Sequence, residues 1–164
     1  MSNSKIKSII IILGLLLTTG CENSTGSETP ESATISGTIT FTGDWPSDGD
    51  VAVSLSSTWP PAGAPAASSA ITESELSSGT YAYTFENVTF GTYASITVSW
   101  QDPNDSNPAT NQYTLGAYGG VYPFFTAYGG TDPTTITVSE TDYSKINLDF
   151  SANLIYAISS TGGQ

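Results

Sequence analysis

Apolar side chains recur at every second position through much of this chain, and few patterns restrict a fold so tightly. The densest case is residues 81–100. Tyr81, Tyr83 and Phe85 share one side of an extended segment there, and Ala94, Ile96, Val98 and Trp100 share one side of a second, because side chains alternate along a strand. Thr84, Glu86, Ser95, Thr97 and Ser99 fall on the opposite sides. Between the segments, Asn87 and Gly91 tolerate the backbone of a turn, so the stretch predicts a hairpin. A lone hairpin is marginal in water, and its apolar faces therefore require a second sheet.

The same alternation recurs at residues 34–42, where Ile35, Gly37, Ile39 and Phe41 oppose Ser36, Thr38, Thr40 and Thr42. Val51, Val53 and Leu55 mark another strand, residues 69–76 a short one, and residues 134–139 a further one. Residues 145–154 close the set, with Ile146, Leu148, Phe150, Ala152 and Leu154 on one side. With 9 Pro and 16 Gly in the chain, long helices are disfavoured. The expected fold is all-β: a two-layer antiparallel sandwich, immunoglobulin-like or prealbumin-like, of about seven to nine strands. Its expected core includes Ile35, Ile39, Val53, Tyr83, Phe85, Ile96, Val98, Leu148 and Phe150. Residues 43–50, the proline-rich residues 59–65 and the polar residues 102–108 read as loops. Two copies of Ala-Tyr-Gly-Gly, beginning at Ala117 and Ala127, are too few for a repeat architecture and read as matching ends of a local loop.

Ahead of this domain, Lys5 and Lys7 precede an apolar run to Leu17 and then Thr18-Thr19-Gly20-Cys21. The layout is that of a secretion signal, too short to span a bilayer. The segment resembles a bacterial lipoprotein lipobox, departing from it in having Thr18 three positions before the cysteine and Leu17 one step earlier. The resemblance implies cleavage after residue 20 and acylation of Cys21, the one cysteine present. Residues 21–32 then form an acylated, solvated tether, and residues 33–164 a single domain. Lys145 is left as the sole side-chain cation against 15 Asp and Glu. Such a surface repels nucleic acid and anionic lipid headgroups, so no nucleic-acid partner is expected and membrane attachment falls to the acyl chains. The expected location is a bacterial cell envelope, at the outer membrane.

Within the domain, Ile35-Ser36-Gly37-Thr38-Ile39-Thr40-Phe41, the Val51-x-Val53-x-Leu55 run and Tyr83-x-Phe85-x-Asn87-Val88-x-x-Gly91-x-Tyr93 resemble carboxypeptidase regulatory-like, or transthyretin-like, β-sandwich domains of bacterial surface proteins. The likeness covers residues 33–100. It implies that Gly91 and Tyr93 set a turn and pack the core. It implies no isopeptide crosslink, since the first strand has no Lys, and no transthyretin-like hydrolase activity, since the chain has no His.

The lack of His also removes the commonest general base and zinc ligand, and no enzyme activity is expected. The carboxylate pairs Glu73 and Glu75, or Asp102 and Asp105, are what a glycosidase reading would have to use; acids in turns more often only solvate. No cofactor is expected apart from calcium, for which hard oxygen ligands gather at Asp44, Asp48 and Asp50 and at Asp102, Asn104, Asp105 and Asn107. The same residue types are ordinary turn formers. Trp45, Trp59, Tyr118, Tyr122 and Tyr128 lie in expected loops, where large rings either fold back or remain as a contact patch. As a patch they suit a neutral glycan, a nutrient or a protein partner. As plugs, Tyr122, Phe124 and Phe125 would close one end of the sandwich, and the protein would be a spacer or accessory subunit of an envelope assembly.

Overall fold

The described part of the chain is built on ten strands: β1 Ala33–Thr42, β2 Asp50–Ser56, β3 Ala67–Ile71, β4 Thr80–Val88, β5 Gly91–Tyr93, β6 Ser95–Gln101, β7 Gln112–Ala117, β8 Ile136–Val138, β9 Ser144–Lys145 and β10 Phe150–Asn153. The computed structural model describes residues 29–157. The signal segment, Cys21 and the tether up to residue 28 lie outside the described residues. One sheet runs β10-β1-β4, with β9 also on β1; the other runs β3-β2-β6-β7, and β5 and β8 form a small pair of their own. The chain is therefore an all-β sandwich. Most pairs are antiparallel, but β9 and β10 both run parallel to β1.

The core lies between the two larger sheets. Ile35, Ile39, Tyr83 and Phe85 enter it from one, and Val53, Leu55, Ile96 and Val98 from the other, all nearly inaccessible to water. Burial, with the Asp149 carboxylate second, holds the Tyr83 hydroxyl protonated far above the usual phenol range, and that hydroxyl donates to the Leu148 carbonyl at 2.8 Å. Tyr93 is buried and its hydroxyl donates to the Thr89 carbonyl at 2.7 Å, closing the turn ahead of it.

Residues 81–100 do not form a hairpin. β4 pairs with β1 in the first sheet and β6 with β2 and β7 in the second; Asn87, whose φ is +56°, lies in a bulge of β4 opposite Ala33 and Ile35, and the chain crosses the core after Val88, through β5. Pairing the two strands side by side would place both apolar faces on one uncovered surface. Putting them in opposite sheets lets each cover the other, which alternation alone cannot specify.

Residues 145–154 do not form one strand either. β9 pairs with Thr34 and Ile35 and β10 with Ile39 to Thr42, and residues 146–149 bulge between them around Asn147, whose φ is +59°. Along the bulge Leu148 N–H donates to the Ser36 carbonyl at 3.1 Å, while Thr38 N–H donates to the Asp149 carboxylate at 2.7 Å. A side-chain oxygen thus stands in for a missing ladder carbonyl. Gly37 permits the close approach, since a Cβ there would lie 2.4 Å from the Leu148 oxygen. In consequence Ile146 is 62% exposed, and Leu148 and Phe150, expected in the core, are half-buried at its margin.

One strand has no counterpart in the sequence reading. β7 contributes Leu115 to the core, and its Gly116 lies against β10 so closely that a Cβ would meet the Ser151 oxygen at 2.3 Å. Residues 69–76 divide into the end of β3 and a short 3-10 turn, Glu73–Glu75. No helix among the described residues is long and apolar enough to cross a membrane.

Candidate functional site

The outward face of the second sheet is built from the residues that alternate with its core. Paired across β3, β2, β6 and β7, the rows are Ser68, Ser54, Thr97 and Ala117, then Ala70, Ala52, Ser99 and Thr114, then Gln101 opposite Gln112. Small hydroxyl and amide side chains therefore make a nearly flat floor, on which Ser54 and Ser68 hydroxyls bond each other at 3.0 Å.

Two loops raise a wall on this floor. Trp59, just after β2, stacks on Phe125 with ring centres 5.1 Å apart and donates its indole N–H to the Phe124 carbonyl at 3.0 Å. Tyr128 meets Phe125 edge-on at 5.9 Å, and Tyr122 stacks on Tyr156 at 4.1 Å. The loop between β7 and β8 is braced by reciprocal Val121 and Thr131 backbone bonds and by Asp132, which accepts from both the Thr126 amide and its hydroxyl. Gly130 is needed where the loop closes, because a Cβ there would lie 2.4 Å from the Val121 oxygen. Phe124 is buried and takes a left-handed backbone with φ +66°, a conformation that costs a bulky residue about 1–3 kcal/mol and that the surrounding packing holds in place.

Floor and wall enclose a groove of about 1010 Å³. Its lining is hydroxyl, amide, proline and aromatic; no Asp, Glu, Lys or Arg contributes to it, although the chain has 15 acids. Behind the Tyr122 and Tyr156 pair lies a smaller hollow of about 240 Å³ bordered by Thr42, Val121 and Asn153.

Of the aromatics singled out from sequence, Trp59, Tyr122 and Tyr128 come together in the groove wall. Trp45 and Tyr118 do not: Trp45 packs on Phe41 with ring centres 5.6 Å apart, and Tyr118 packs against the core, where its amide continues the β6 pairing by donating to the Ile96 carbonyl. Tyr156, Tyr113 and the hydroxyl floor were not singled out. The floor was visible as the polar half of the alternation, whereas Tyr156 lies past the last strand, where no pattern marks it.

The acidic candidates are engaged in turns. Asp102 is buried and accepts from the Asn104 amide, Asp105 accepts from the Asn107 amide and the Thr110 hydroxyl, and Asn104 reaches Asp48 at 3.4 Å. Asp44 and Asp50 are exposed. Among the described residues no group of three His, Cys, Asp or Glu side chains is placed to hold a metal ion. Glu75 accepts from the Thr72 hydroxyl and amide, bonds that hold its carboxyl below the usual range. None of these carboxylates lines the groove.

No protein-family model, curated protein or solved structure matches this chain.

Proposed function

We propose that this is a noncatalytic, lipid-anchored protein of a bacterial cell envelope that binds a neutral glycan in the groove on its second sheet. The observation that carries this reading is the contrast in charge: a strongly acidic chain has a groove without a single ionic side chain. A pyranose offers an apolar face for ring stacking and hydroxyls that both donate and accept, and the groove supplies rings and hydroxyls of matching capacity. The lipobox-like residues ending at Cys21 support the anchor, and the likeness of residues 33–100 to carboxypeptidase regulatory-like domains fits a module without an active site.

Affinity electrophoresis through gels containing neutral polysaccharides tests the binding. Retardation of the parent protein that is lost in Trp59→Ala and in Tyr122→Ala supports the reading; unretarded migration in every gel removes it. Fractionation tests the anchor. Cys21→Ser should move the processed protein from membrane to soluble fraction, and membrane retention of that variant at high salt would exclude acyl attachment.

A second reading, a structural spacer, draws on the way the wall rings pair with one another, Trp59 on Phe125 and Tyr122 on Tyr156. It becomes the better account if no glycan binds.

A further inference from the structure

We infer that the groove takes a chain of several neutral sugar units laid over the floor from the aromatic wall to the Gln101 and Gln112 end, and that it rejects acidic chains. This inference rests on the neutral-glycan reading and specifies the ligand within it.

Size comes first. A volume of about 1010 Å³ stands at the upper end of the ~300–1,000 Å³ typical of small-molecule pockets, so one sugar would leave most of the groove filled by water. The floor is correspondingly long. From Thr97 to Gln101 it spans roughly 13 Å along β6, at about 3.3 Å per residue, and crosses four strands. The two ends also differ in chemistry. Trp59, Tyr122 and Tyr128 present rings at one, while Gln101, Gln112 and Thr114 present amides and a hydroxyl at the other, beside the one ring of Tyr113. A single sugar can use one end; only a chain can use both.

Charge then limits which chain. Asp50 pairs with Gln101 in the sheet, Asp102 follows it directly, and Asp105 lies in the loop that leads on to Gln112. These carboxylates stand beyond the amide end of the groove and not inside it. Lys145, the one cation of the described residues, is on β9 of the other sheet and already paired with Asp142. A polyuronate would bring like charge to this end with no cation to offset it, over a screening length of about 8 Å at physiological salt.

A polyproline-type peptide also docks in aromatic-lined grooves. Such a peptide offers mainly carbonyl acceptors, whereas sugar hydroxyls both donate and accept and so match the hydroxyl and amide lining on both counts.

Calorimetric titration of the purified protein with neutral gluco-, xylo- and manno-oligosaccharides, from monosaccharide to hexasaccharide, tests the inference, with a polyuronate and a proline-rich peptide as competitors. Within the series that binds, affinity should rise by about tenfold or more between disaccharide and hexasaccharide, equivalent to about 1.4 kcal/mol. The exposed pair Gln101→Ala and Gln112→Ala should erase that rise, and Trp59→Ala should weaken every member of the series, disaccharide included. Equal affinity for mono- and hexasaccharide would overturn the inference while leaving glycan binding intact. So would polyuronate binding at low salt as tight as that of the neutral chain. Binding of the peptide in place of every glycan, or no binding of any glycan, would remove the glycan reading itself and this inference with it.

Discussion

The two faces of the β3-β2-β6-β7 sheet are made from the same strands and differ in what they present. Facing inward are Val51, Val53, Leu55, Ile96, Val98 and Trp100; facing outward are Ala52, Ser54, Ser56, Ser95, Thr97 and Ser99. Exposure does not separate them everywhere, since Ser95 and Thr97 are as inaccessible as the core, at 0% and 3%. The inner face is covered by the other sheet, whereas the Trp59 and Phe125 loops stand over the outer one. Chemistry separates them instead. Branched aliphatics gain from leaving water whatever covers them, while hydroxyls are useful only where something can bond to them. On the glycan-binding proposal, stability and recognition fall to alternate residues, and substitutions should be able to alter one and spare the other.

The largest expected effect tests the inner face. Phe85→Ala or Ile96→Ala should lower unfolding free energy by about 2–5 kcal/mol in denaturant titration, and a parent-like midpoint for either would mean that its strand is misplaced. Phe150→Ala, at the half-buried margin, should cost clearly less than Phe85→Ala in the same experiment. Gly116→Val follows: forcing a side chain into the contact with β10 should cost about 1–3 kcal/mol, read as a lower melting temperature. Trp59→Ala should have a smaller effect on stability, about 0.5–1.5 kcal/mol for the lost ring stacking, and its main consequence should be lost gel retardation. If its melting temperature fell as far as that of Phe85→Ala, wall and core would not be separable. The smallest effect belongs to Ser95→Ala. The Ser95 hydroxyl is buried without a hydrogen-bond partner among the described residues, and an unsatisfied buried group costs about 1–3 kcal/mol. Removing it should leave the melting temperature unchanged or raise it slightly, and a clear fall would show that the hydroxyl is satisfied in solution.

Alternation was enough to identify most strands and the side of each that faces inward, because burial of one face is a local property of the pattern. Partnership is not local. Nothing at Glu86 to Gly91 distinguishes a turn within a sheet from a crossing between sheets, and Asn87, a turn former, sits in a bulge of β4 instead. The bulge at residues 146–149 was hidden because Ile146, Leu148 and Phe150 keep perfect alternation while Gly37 and Asp149, far apart in sequence, decide the geometry. β7 was hidden for the opposite reason. A register shift opposite Val98 and Ser99 breaks its alternation, leaving Leu115 and Gly116 both buried. The candidate site was half legible: three of the loop aromatics gather in the groove wall, but Trp45 looks the same in sequence as Trp59 and folds back on Phe41. Which loop ring finds a neighbour depends on what the rest of the fold brings near it.

β1 also has a mechanical consequence. Its ten residues extend about 30 Å, at about 3.3 Å per residue, from Ala33, next to the tether, to Thr42, which borders the hollow behind Tyr122 and Tyr156. A pull between an anchored N-terminus and a ligand held at those rings would run along this strand. Ladder bonds lie across the strand direction, so the bonds to β4, β9 and β10 would bear that load in shear, together, and not peel apart one after another. In pulling experiments, Ala33 against Tyr122 should therefore withstand more force than Ala33 against Glu86, which sits near the same end of the sheet and would open the β1 and β4 pair as a zipper. The strand that begins the fold would then also act as its load-bearing line.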